Sequence, residues 1–304
     1  MAASRVSADW RMDWGFPLLG RIPTSLPWRL AHRLGRDPAP QRQATERYLE
    51  ARFREVFPDA EAVPCRLWAQ SHMEMLAQEM LDSVVLYRMG MPGGPRVTVS
   101  GWEHVEALQS KKQGFIVVLN HYDRLLAGPI ALARRGLRLH AMTMPIAENA
   151  ELNPSQRRFL TNKIKAYTDI TGGQWCTSND GLRPLHEGLR SGQAWGILAD
   201  AWRPEFGRLR SHPFLGGQLQ LPTGIERLAH STGAALLHVI TRSQAPDQLN
   251  VQVEPLPADP RVAIDQVIQR LEADVRERPW AWWHWGLWDQ MWRPAPQEER
   301  HVQY

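Results

Sequence analysis

Residues 114–129 hold the arrangement best suited to chemistry. Gly114 to Leu119 is a continuous apolar run of strand length, as a strand buried on both faces should be, and it stops at Asn120-His121. In open α/β sheets the carboxyl end of a strand is where ligands bind and reactive groups emerge. A histidine there, His121, can take a proton from a hydroxyl or an amine near neutral pH. Asp123 follows two residues later and can orient the imidazole and stabilise its cationic form. It is equally well placed to cap a helix that starts at Arg124.

The elements around this turn alternate. After helices over 41–57 and 66–89, Gly90 to Pro95 (GMPGGP) breaks the chain. Strands are then predicted at 97–99, 114–119, 139–142, 195–198, 235–241 and 250–254. Helices are predicted at 101–108, 124–135, 155–168, 181–190, 223–230 and 262–278. Such alternation predicts one α/β layer structure, with a central, mostly parallel sheet and a helical N-terminal part. The division expected is an amphipathic arm over 1–40, an α/β domain over 41–293 with a helical cap at 41–92, and a tail at 294–304. In the arm, residues 10–36 mix Trp, Phe, Leu and Ile with arginines and prolines. That composition suits either a lipid headgroup region or packing over a groove.

Composition narrows the class. The 304 residues are 43% hydrophobic and 22% charged, with a net charge of +4, and no run approaches the roughly 18 apolar residues of a spanning helix. The first thirty residues lack the apolar stretch of a signal peptide, so a cytoplasmic protein is expected, soluble or at the inner membrane face. Cys65 and Cys176 stand outside any Cys-x-x-Cys, which excludes a cysteine zinc site and a disulfide scaffold. His72, His140 and His238 fall on a helix face and in strands. No short spacing such as His-Glu-x-x-His brings histidines together, and no metal is predicted. The pI is 9.3, but there is no dense basic block, so nucleic acid is not an expected partner. Six of the fourteen tryptophans crowd into residues 280–292, suited to core packing, a binding groove or a membrane interface.

The turn and its flanks resemble the first motif of the lysophospholipid acyltransferase superfamily, a His-x4-Asp/Glu after a strand. Within it the chain is similar to the bacterial lipid A late acyltransferases. Residues 96–121 follow that family's strand, helix and buried strand. Trp195 to Asp200, His212-Pro-Phe-Leu-Gly-Gly217 and Leu221-Pro-Thr-Gly224 resemble its "D…PFFG…PTG" segment. Pro279 to His284 resembles its terminal Trp-rich segment. Two departures stand out. Leu126 occupies the place of the family's carboxylate, five residues after the histidine, and Trp285-Gly286-Leu287-Trp288 replaces a terminal arginine pair. Asp123 is the nearest substitute carboxylate, while Asp200, Glu148 and Asp289 are others that the fold can bring in.

The resemblance implies an acyltransferase-type αβα domain. It implies transfer of an acyl chain from an acyl carrier protein or coenzyme A thioester to a hydroxyl or amine of a lipid or small-molecule acceptor. His121 would be the general base and Asp123 its partner. No cofactor is implied beyond the thioester co-substrate. Oxyanion donors are expected near Gly216 and Gly217, and substrate contacts at Arg124, Asp200, Arg203, Arg208 and Arg210. Loss of the family's carboxylate keeps a second reading open, a member that binds acyl chains or their carrier without catalysis. Water or a carbon nucleophile as acceptor would make a thioesterase or a condensing enzyme.

Overall fold

The computed structural model describes residues 10–36, 40–143, 145 and 152–295. Glu148 and residues 296–304 of the expected tail lie outside them. After a π-helical turn, Arg11–Gly15, the N-terminal part holds α1 (Phe16–Leu19), α2 (Leu26–Leu34), α3 (Pro40–Val56) and α4 (Ala62–Val84). There follow β1 (Arg96–Ser100), α5 (Trp102–Ser110), β2 (Phe115–Leu119), α6 (Ala127–Arg134), β3 (Leu139–Thr143), α7 (Pro154–Thr171) and β4 (Gly172–Thr177). Next come α8 (Arg183–Arg190), β5 (Ala194–Leu198), β6 (Leu209–Phe214), β7 (Gly217–Pro222), α9 (Gly224–Thr232), β8 (Ala235–Ala245) and β9 (Gln248–Pro255). The described chain closes with α10 (Pro260–Glu277), α11 (Trp288–Met291) and β10 (Trp292–Pro294).

Seven strands form the main sheet in the order β1-β9-β8-β2-β5-β3-β4, parallel throughout except for the β8–β9 pair. The mixed α/β architecture is the one the alternation predicts. β2 shows why an unbroken apolar run belongs at its centre: Ile116 and Val118 pack into the core beneath α9 and α10, while Phe115, Val117 and Leu119 pack on the opposite face with Val105 and Leu132. β4 and a separate antiparallel sheet, β10-β7-β6, have no counterpart among the predicted strands. Their short segments alternate polar and apolar residues and carry Pro213 and several glycines, which weakens the apolar signal that marks the buried strands.

Two core histidines are expected to make stability sensitive to acid. His238, in β8, is fully enclosed with Nε2 at 3.1 Å from Asn120 Nδ2, and burial, reinforced by Arg270, pushes its pKa down to about 3. His72, in α4, sets Nδ1 at 2.8 Å from the Trp280 carbonyl, and burial takes it to about 4. Both folded values lie below the 6.5 of the free side chain. At these two sites the unfolded chain therefore binds more protons between about pH 4 and 6.5, and their contribution to stability rises with pH across that window. Urea unfolding should show a plateau above about pH 7 and a loss approaching 1.4 kcal/mol per pH unit for each histidine below it. His238→Asn should flatten the slope; an unchanged slope would mean that other groups set it.

Candidate active site

Strands β2 and β5 are parallel neighbours in register, Leu119 beside Leu198. Two residues beyond each end stand His121 and Asp200, so the sheet itself brings them together. His121 Nδ1 lies 2.9 Å from Asp200 Oδ1, and the His121 backbone N–H donates to both carboxylate oxygens at 3.0 Å. Trp282 Nε1 donates to Oδ2 at 3.0 Å. Burial alone would raise the pKa of Asp200, but the charge and hydrogen bond of His121, with His284 behind it, hold it down to about 2. A permanently ionised, fully enclosed carboxylate thus faces the imidazole.

The turn that carries His121 is fixed from the C-terminal segment. Trp283 donates its backbone N–H to the His121 carbonyl at 2.9 Å, and Tyr122 bridges to Trp282. This brings His284 Nε2 to 2.8 Å from His121 Nδ1 and 3.9 Å from Asp200 Oδ2. An ionised carboxylate only accepts, so His121 Nδ1 carries the proton and His284 Nε2 must offer a lone pair to the same N–H. His284 suits that state, because burial, and next the charge of His121, push its pKa down to about 4. With Nδ1 occupied, Nε2 is the nitrogen of His121 left to meet a substrate.

Two imidazoles and a carboxylate, with ligand atoms within 4.8 Å of one another, are also a donor set for zinc or iron. Their 2.8 and 2.9 Å contacts are hydrogen-bond lengths. A zinc tetrahedron with bonds of about 2.0–2.1 Å would spread its ligand atoms to roughly 3.3 Å. The geometry is that of a hydrogen-bonded triad.

Beside the triad lies a cavity of about 600 Å³, in the size range of ligand pockets. His121, Leu125, Leu126, Trp283 and Lys163 line one part, and Met142, Leu160, Ile164, Trp175, Leu182 and Leu228 make the walls apolar. Position 126 therefore faces this apolar space, and the carboxylate beside His121 comes from Asp200 instead. Arg208 and Arg227 are exposed at the cavity and pair with no described residue.

Asp123 is not in contact with the imidazole. Its backbone sits in the left-handed region at φ 50°, and its carboxylate accepts from Ser243 N at 2.7 Å, Ser243 Oγ at 2.6 Å and Arg124 N at 2.9 Å. It also pairs with Arg278 Nη1 at 2.9 Å. Those bonds hold the shape of the turn, and the helix expected from Arg124 begins only at Ala127. Arg124 is buried against Asp82, away from the cavity lining. Arg210 joins β6 to α9 and α10 through Glu226 and Asp265, each at 2.6 Å. Arg203 lies near Glu205 in an exposed loop, outside the lining.

Gly216 lies in the β6–β7 turn and Gly217 opens β7, and neither lines the cavity. A Cβ on Gly217 would come within 2.3 Å of the Trp292 ring, so that glycine admits the tryptophan. Asp289 is exposed and ion-paired with Arg52. Of the six C-terminal tryptophans, Trp283 alone lines the cavity, while Trp282, Trp285 and Trp288 pack edge and face in the core. His284 is the site residue that residue-by-residue reading missed. Its signal was its place in the Trp-rich segment that the resemblance had already marked.

No curated protein matches the chain significantly. A family model, bacterial lipid A biosynthesis acyltransferase, matches residues 5–288. An apolar cavity with His121 in its wall and a buried carboxylate behind that histidine accords with acyl transfer, and with a family match over nearly its whole length the chain belongs to the bacterial lipid A biosynthesis acyltransferases.

Proposed function

We propose that the chain transfers a fatty acyl group from an acyl carrier protein or coenzyme A thioester to a hydroxyl or amine, with His121 as general base and Asp200 as its partner. Nε2 takes the acceptor's proton as its oxygen or nitrogen bonds to the thioester carbonyl carbon. Collapse of the tetrahedral adduct breaks the carbon–sulfur bond, and the imidazolium returns the proton to the leaving thiolate. Asp200 fixes the tautomer and stabilises the imidazolium. No covalent acyl-enzyme is needed, because a thioester is already activated. The apolar cavity receives the chain. Arg208 and Arg227 suit the phosphate of the phosphopantetheine arm that both carriers share, and the N-terminal end of α9, Thr223 to Ile225, adds a positive dipole to the wall.

The observation that carries this reading is the 2.9 Å contact of His121 with a buried, ionised Asp200 beside an apolar cavity. Thiol release from a panel of carrier-protein and coenzyme A thioesters tests it, with a lipid extract as acceptor and products followed by mass. An acylated product formed with thiol release is the expected result. Free fatty acid alone would make the protein a thioesterase, and thioester binding without turnover would make it a binding member.

A further inference from the structure

The surface formed by residues 10–36 has an inner and an outer half of opposite character. Inwardly, Phe16, Trp28 and Ala31 are buried against Ala77, Leu81 and Val85 of α4 and the residue after it. Arg88 ties the segment down by donating to the carbonyls of Gly20, Ile22, Thr24 and Gly93, with its guanidinium 5.0 Å over the Trp28 ring. Outwardly, Trp10, Trp14 and Leu18 recur every fourth residue along one helical face and are 57%, 69% and 54% exposed. Leu26 is exposed on α2, and Tyr87 and Met91 are exposed on either side of the Arg88 anchor. Half of the large apolar side chains exposed among the described residues therefore belong to this segment or flank the Arg88 that anchors it.

The charged side chains that residues 10–36 themselves expose are basic. Arg21, Arg29 and Arg33 are exposed, the last two on the side of α2 that carries Leu26, and Arg29 also reaches Asp247 at 3.5 Å. Asp13 is the acid within residues 10–36, and it is turned inward to Ser155 and Arg158, at 2.7 and 2.6 Å. Paired indoles with a leucine and a border of arginines match a lipid interface, where amphipathic rings sit at headgroup depth and arginines meet phosphates. No helix among the described residues is long and apolar enough to cross a membrane. The inner half is already committed to the protein core, so this segment lies along a surface.

We propose that the outer face of residues 10–36, with Trp10, Trp14, Leu18 and Leu26 as the apolar part and Arg21, Arg29 and Arg33 as the basic part, docks the protein on an anionic lipid surface. Asp13 joins this face to the first turns of α7, and Leu160, Lys163 and Ile164 of the same helix line the cavity. Docking therefore sets the wall of the acyl cavity beside the lipid. The inference rests on the acyl-lipid reading of that cavity for its purpose, though not for its test.

The test is cosedimentation of the full chain with vesicles of phosphatidylcholine alone or mixed with phosphatidylglycerol. Thiol release from a soluble thioester and the melting temperature serve as controls. The wild type should pellet with the anionic vesicles. Trp10→Ala/Trp14→Ala/Leu18→Ala should lower the partition by about tenfold or more, with both controls unchanged because these side chains stand outside core and cavity. Arg21→Glu/Arg29→Glu/Arg33→Glu should abolish the preference for anionic over neutral vesicles. If the triple apolar variant fails to fold, Trp14→Asp alone carries the comparison.

A wild type that stays in solution with both vesicle types overturns the proposal, as does an apolar variant that pellets like wild type. A vesicle-independent dimer lost in that variant would assign the face to a second copy and likewise overturn it. Vesicle binding without any thiol release would leave this proposal standing and sink the transferase reading instead.

Discussion

Asp200→Asn is expected to lower acyl transfer by about 10²–10⁴-fold, the same range as His121→Ala, with KM for the thioester changed far less. The amide keeps the shape of the carboxylate and can still accept from the His121 backbone and from Trp282. It cannot stabilise an imidazolium, and its NH₂ can present a donor to Nδ1 and so favour the wrong tautomer. Asp123→Asn is the discriminating control. Its carboxylate touches Ser243, Arg124 and Arg278 and not the imidazole, so its loss should lower stability and leave the pH dependence of transfer in place. Rates of product formation for the three variants, paired with their urea midpoints, decide the matter. Should Asp123→Asn match His121→Ala in rate at unchanged stability while Asp200→Asn keeps wild-type turnover, the assignment of Asp200 is wrong.

The second large effect concerns stability. Asp82 and Arg124 are both essentially inaccessible: Asp82 Oδ2 accepts from Arg124 Nε at 2.5 Å and Oδ1 from Nη2 at 2.6 Å, while Oδ1 also accepts from Trp28 Nε1 at 2.7 Å. Asp82→Ala would leave a guanidinium buried with only the Pro246 carbonyl, at 2.7 Å, for a partner. Removing one member of a buried pair costs about 3–5 kcal/mol, which corresponds to a fall in melting temperature on the order of 10 °C. Asp82→Asn should cost less, because one acceptor oxygen survives. Thermal unfolding of both variants checks this, and a shift of Asp82→Ala below about 1 kcal/mol would show that water reaches the guanidinium. Because Arg124 lies three residues after His121 and Trp28 pins the N-terminal segment, this pair fastens both the turn that carries His121 and the N-terminal segment to α4.

The sequence by itself settled what depends on local pattern. The unbroken apolar run of β2 marked a doubly buried central strand, and its end marked the place of the candidate histidine, because a parallel sheet exposes side chains at the carboxyl ends of its strands. Asp200 was a candidate through the resemblance, as one of the carboxylates that the fold could bring in. The choice among Asp123, Asp200, Glu148 and Asp289 was not visible, since it depends on which strand lies beside β2 and how its register falls. Strand order is set by packing between segments far apart in the chain. Chain proximity favoured Asp123, but the left-handed backbone at that residue turns its carboxylate toward Ser243 and Arg278. His284 arrives from 163 positions away through the pairing of Tyr122 with Trp282. Arg124, Arg203 and Arg210 show the same limit: an arginine's position along the chain does not reveal whether it meets substrate, solvent or a buried carboxylate, because only the tertiary fold supplies the partner that satisfies its charge.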